Sequence, residues 1–420
     1  MSGTLGSLLA ALAALAATAP RGEVRVADDD ALRAALRAAQ PGTTIVIAAG
    51  TYRGGITVEG LAGTAREPIV IRGADARQPP LFEGGGNAFH LRDVAWIELA
   101  DLAVRGATGN GLNIDDGGTS ETPTRHVTLR RLVITDIGSN GNQDAVKLSG
   151  VDDFLIEECT LERWGGGGSG IDMVGCHRGA IESCTFRHRG DAAANGVQTK
   201  GGTAEIAIRG CRFEAAGSRA VNLGGSTGLE FFRPPLAQPP HAEARDIVVE
   251  HCSFRGAAAP IAFVGVDGAI VRFNTIWMPQ RWAIRILQET TAEGFVPCRN
   301  GRFERNLVVF RSDAWASGGV NIGGGTEPQS FTFAENWWYC SDTPAQSRPT
   351  LPTAEKAGVY GKEPRWIDAE AGDLRQRPDS PAKGHGADPQ RAAAAIEAVK
   401  KERARSVAAE AKAIPGAKRR

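Results

Sequence analysis

Two lysines and two aspartates stand in three successive strand-like pieces near the middle of this chain: Asp144 and Lys147 in GNQDAVKLSG, Asp172 in SGIDM and Lys200 in NGVQTKGG. A lysine shielded from water and set beside other cations binds its proton less tightly and becomes a general base. Lys147 and Arg219, with the amides of Gln198 and Asn222, would neutralise a carboxylate on a bound molecule and ease removal of a proton beside it. The same residues hold a second chemistry. Asp144 and Asp172, one repeat apart, would serve as the acid and base of a hydrolase. Asp172 would otherwise orient a lysine.

A repeat must bring these residues together. Segments of one shape recur: LADLAV, LRRLVI, IEECTL, IESCTF, IRGCRF, VEHCSF, VRFNTI, FERNLV and FAENWW. Their fourth positions are Leu102, Leu132, Cys159, Cys184, Cys211, Cys252, Asn274, Asn306 and Asn336. Most intervals are about 22 to 32 residues, the period of a solenoid coil. Between them lie pieces such as DAVKL, SGIDM and NGVQT, whose period-two alternation marks strands with one buried face. The fold expected is all-β, a parallel β-helix of about ten coils with an internal Cys/Asn ladder. The ladder thiols read as reduced, buried hydrophobes. Cys298 and Cys340 stand outside it, and their pairing is left open.

The second strands supply an outward column: Asn113, Lys147, Asp172, Gln198, Asn222, Ala262, Arg285 and Asn321. Two residues earlier runs a row of small residues, Gly111, Ala145, Gly170, Gly196, Ala220, Pro260, Ala283 and Gly319. A flat track beside amides and charges suits a sugar chain, whose hydroxyls need fixed partners. Asn195, Asp144, Trp164, His177 and Trp282 flank that track. The 228–245 insertion should overhang it near Asn222, with Phe231 or Phe232 stacking on a ring and Arg233 meeting a carboxylate.

Lys+Arg and Asp+Glu both number 48 in the 420 residues, so no net charge points to nucleic acid or an anionic membrane. The apolar run Leu8–Ala17 is signal-peptide-like, which makes 1–22 an export segment and the protein secreted or periplasmic. No other stretch suggests a membrane span, and the chain is expected to act as a monomer. Residues 23–388 form the β-helix domain with its caps. Asp28–Asp30 start an amphipathic capping helix, the region near 363–388 is an irregular C-terminal cap, and 389–420 is a helical or disordered tail.

ALRAALRAAQPGTTIVIAAGTY, the ladder coils and GDLRQRPDSPAKGHGA together resemble the pectate-lyase-like right-handed β-helix superfamily over roughly residues 24–388. Within it, GNQDAVKLSG and Lys200 are similar to the chondroitinase B and alginate lyase group, where a similar turn precedes a catalytic lysine. The resemblance implies Lys200 as base in a polysaccharide lyase that cleaves a uronic-acid-containing glycan by β-elimination. It also implies calcium, with Asp172 or Asp144 as ligand if calcium is used. That group places acidic calcium ligands where this chain has Ala193 and Asn195, and an arginine where it has Asn222 with Arg219 nearby. A glycoside hydrolase using Asp144 and Asp172, and a non-catalytic glycan-binding surface protein, are the other classes to be separated.

Overall fold

A computed structural model describes residues 22–138, 141–189 and 193–413; the signal-peptide-like segment, apart from Gly22, lies outside them. The chain winds as a parallel β-helix with 10-, 12- and 13-stranded sheets. One coil shows the plan. Ser169–Val174 runs along the 10-stranded sheet, His177–Glu182 along the 13-stranded one, and Thr185–Arg187 along the 12-stranded one. The next coil then begins at Asn195.

The corners explain the repeat's shape. The third residue of each recurring segment turns the chain through the left-handed region. Asp101, Arg131, Glu158, Ser183, His251, Phe273, Arg305 and Glu335 have φ between 50 and 57°, and Gly210 has φ 60°. Such backbone is unfavourable for most of these side chains, so inter-coil bonds must hold it. The ladder residue that follows supplies them. Thiols of Cys159, Cys184, Cys211 and Cys252 donate to the carbonyls of Leu129, Ile156, Ile181 and Ile208, each at 3.6 Å. From Asn274 on the ladder becomes amide. Asn274, Asn306 and Asn336 donate to the carbonyls of Val249, Val271 and Phe303 at 2.9, 2.9 and 2.8 Å. Each Oδ1 of the three also accepts the backbone N–H of the preceding ladder residue at 2.9 Å. Glu355 ends the row by accepting from Asn336 N and Nδ2.

Inside the turns, Phe186, Phe213 and Phe254 stack with centroids 4.7 and 4.8 Å apart. The N-terminal opening is closed by helix Asp29–Ala38, which Asp28 caps through Ala31 N and which buries Leu32, Ala35 and Leu36. At the other end Trp366–Asp368 and Asp373–Gln376 form an antiparallel pair. Helix Pro389–Ala413 lies back on the coils, burying Ala392 and Ile396 and pairing Lys400 with Glu157 at 2.6 Å. No helix among the described residues is long and apolar enough to cross a membrane. All seven cysteines are free and buried, so Cys298 and Cys340 do not pair.

Burial pushes the Cys184 and Cys211 thiols well above their ordinary value. Native protein should therefore resist thiol labelling until it unfolds. Cys184→Asp should cost about 3–5 kcal/mol, because its charge would have no partner in the ladder, as read by denaturant unfolding. Fast labelling of the native ladder thiols would contradict this packing.

Candidate functional site

The outward column forms in register. Across the 10-stranded sheet, Asn113 faces Lys147, Lys147 faces Asp172, Asp172 faces Gln198, Gln198 faces Asn222, Asn222 faces Ala262, Ala262 faces Arg285 and Arg285 faces Asn321. The row continues towards the N-terminus through His90 and Thr57. His90 extends the row one coil beyond Asn113, in FHLR, whose alternation is that of its neighbours. His90 Nε2 lies 2.6 Å from Asp115 Oδ2, which also accepts from Asn113 Nδ2 at 2.8 Å.

Charge concentrates on three adjacent strands. Asp172 sits between two ammonium groups, hydrogen-bonded to Lys147 and 3.4 Å from Lys200 Nζ. Asp172 Oδ1 is buried beside the lysines with no hydrogen-bond partner. Asp144 Oδ2 lies 4.0 Å from Lys147 Nζ, while its Oδ1 accepts the Ser169 N–H at 2.7 Å. Burial opposes the charge on Lys147, but the Asp172 and Asp144 carboxylates outweigh it and hold the ammonium above its ordinary value. Burial, and then Asp172, push Asp144 up to about 7.

Lys147 and Lys200 open into a cavity of about 330 Å³ whose other walls include Ser149, Val174, Thr227, Phe231 and Arg233. The far wall is a strap, residues 225–243, that leaves the sheet after Gly224 and runs back over the neighbouring coils. Buried Glu243 pins its root, accepting from Gly201 N, Thr227 N and Thr227 Oγ1, each at 2.9 Å, and from Thr290 Oγ1. Further along, Arg233 N donates to Gly201 O, and Arg233 Nε donates to buried Asp116 Oδ2 at 2.8 Å. Gly175 has no side chain because a Cβ there would lie 2.1 Å from Arg233 Cβ.

Several expected contacts fall elsewhere. Phe232 is 1% exposed and packs edge-on against Phe295, leaving Phe231, 58% exposed, as the ring at the cavity. Arg233 meets the protein's own Asp116 rather than a free carboxylate site, and the strap overhangs Lys147 and Lys200 rather than Asn222. Trp164 is fully buried, and His177 belongs to the 13-stranded sheet, where Nδ1 lies 2.8 Å from Asp152. Asn222 is buried under Arg219, which bridges it to Glu289 at 3.2 and 2.7 Å. Arg285 lies over Trp282 and donates to Asn321, while Asn195 donates to Gln198. The small row is not a track. A Cβ on Gly170 or Gly196 would strike a neighbouring carbonyl and press on Phe186 or Phe213, so these positions are small because the corner is tight.

The residues present do not fit a calcium ion. Lysine ammonium groups flank Asp172, a backbone N–H occupies Asp144 Oδ1, and no group of three or more His, Cys, Asp or Glu could hold a metal among the described residues.

The raised Asp144 carboxyl has a measurable consequence. Its stabilising share is complete below its ordinary value of 3.8 and is lost as pH rises through about 7. Asp144→Asn keeps an acceptor for Ser169 N and removes the charge. It should raise the melting temperature at pH 8 more than at pH 4; an equal shift at both would contradict the burial argument.

Known proteins bear on this geometry. Residues 87–233 match the family model described as a right-handed β-helix region. No curated protein sequence is significantly similar. Pectate lyase Pel9A superposes with a TM-score of 0.54 at 11% identity, covering 89% of this chain and 93% of that one. The alginate lyase from Paenibacillus sp. str. FPU-7 gives 0.51 at 19%, covering 73% and 97%. A rhamnogalacturonan lyase gives 0.51 at 16%, covering 83% and 88%. The chain has a right-handed parallel β-helix fold.

Proposed function

We propose that the protein is an exported polysaccharide lyase that cleaves a uronic-acid-containing glycan by β-elimination. The observation that carries this reading is the pair Lys147 and Lys200, both held by Asp172 and both opening into the strapped cavity. A cation for the sugar carboxylate and an amine for the proton beside it stand on one rigid sheet, which holds them without reorganisation. Lys147, kept charged by its carboxylates, neutralises the substrate carboxylate. Lys200, acting as its neutral amine, takes the proton from the carbon beside that carboxylate and becomes an ammonium. The electron pair left behind forms the carbon–carbon double bond, the glycosidic carbon–oxygen bond breaks, and the proton passes to the leaving oxygen. Asp172 holds the two lysine side chains in place, and Phe231 offers an apolar face to a ring.

The hydrolase reading asks Asp144 to protonate a glycosidic oxygen. Asp144 does not line the cavity, and Asp172 is engaged by two lysines. The names of the three superposed lyases are in keeping with elimination on an acidic glycan, as is the apolar run Leu8–Ala17 with export.

The test is a screen of polyuronides and glycosaminoglycans followed by ultraviolet absorbance. An unsaturated product is expected. Reducing ends without absorbance would mean hydrolysis, and retention without turnover a binding protein. On the glycan so found, Lys200→Ala should lose about 100-fold to 10,000-fold in turnover and change stability by less than about 1 kcal/mol, since Lys147 still pairs with Asp172. Activity near that of the unaltered protein would remove Lys200 from the mechanism.

A further inference from the structure

The outward column is not evenly exposed. Thr57 is exposed, and His90, Asn113 and Lys147 are half-buried. Downstream, Asp172 is 4% exposed, Gln198 9%, Asn222 1% and Ala262 0%. All of these face out of the same sheet, so the chain itself covers the later ones.

Two structures make the cover. The first is the root of the strap. After Gly224 the chain folds over the face, and a Cβ on Gly225 would lie 2.3 Å from Gln198 Nε2 and 3.4 Å from Lys200 Cβ. Backbone therefore rests directly on the column where the reactive lysine stands. Buried Glu243 fastens this root through Thr227 and Gly201, so it is a fixed wall. The second is the Arg219–Glu289 bridge across Asn222, beyond which Arg285 and Trp282 fill the face. Among the described residues, the upstream positions keep more exposure: Thr57 is exposed, and His90 and Asn113 are half-buried.

We infer that the cleft is closed at its downstream end and accepts the terminus of a glycan rather than its interior. The polymer enters over Thr57, His90 and Asn113, and its last residue reaches Lys147 and Lys200 against the strap root. Cleavage then releases small fragments from a chain end. Gly225, Arg219 and Glu289 are the residues that set this specificity; they block extension and take no part in proton transfer. The inference rests on the elimination reading and adds to it where along the chain the bond is cut.

The experiment follows the unaltered protein on an acidic polymer that it cleaves, with absorbance, viscosity and fragment sizes recorded together from the earliest times. The expected result is one small unsaturated product throughout, with viscosity falling only in proportion to total bonds cut. An early collapse of viscosity with a broad ladder of fragments would overturn the end-acting inference while leaving elimination intact. Absence of any absorbing product across the acidic polymers would overturn the elimination reading, and this inference with it.

Discussion

Register between coils is the constraint on which the rest of the structure depends. Each coil turns a corner through a left-handed residue that, glycine aside, would be costly alone, and the ladder residue after it bonds to the coil before. Because coils stack about 4.8 Å apart, one residue type placed once per coil becomes a continuous row. Inside, that row is thiols and amides. Outside, it is Asn113, Lys147, Asp172 and Gln198. A slip of one residue would turn those side chains inward, so the ladder holds the chemistry in place from the opposite side of the coil.

Stacking at this spacing also decides the electrostatics. Lys147 and Lys200 would repel across two strand steps without the Asp172 carboxylate between them. The buried aspartate is therefore a spacer that lets two lysines share a small cavity. Asp144 stands at the edge of this arrangement, close enough to Lys147 to feel it and too buried to ionise readily.

Much of this was legible in the sequence. The ladder, the capping helix and the register of the column follow from periodicity, because a repeated local pattern has one stacked solution. What periodicity could not supply was cover. The strap's path depends on Glu243 reaching Thr227 and Thr290, and on Arg233 reaching Asp116, pairings with no period. Hence Phe232 looked as available as Phe231, and Asn222 as open as Asn113. The small row was misread for a related reason. At Gly170 and Gly196 a neighbouring carbonyl, with Phe186 or Phe213 beside it, leaves no room for a side chain, which a strand pattern does not show. His90 was within reach, requiring only that the column be followed towards the N-terminal coils.

The central claim is that bond breaking at Lys147, Asp172 and Lys200 proceeds by proton removal without addition of water. Mass spectrometry of the two fragments from a defined acidic oligosaccharide tests this most directly. Elimination predicts fragment masses that sum to that of the substrate, with the double bond on one fragment. A sum larger by one water molecule would show hydrolysis and contradict the account.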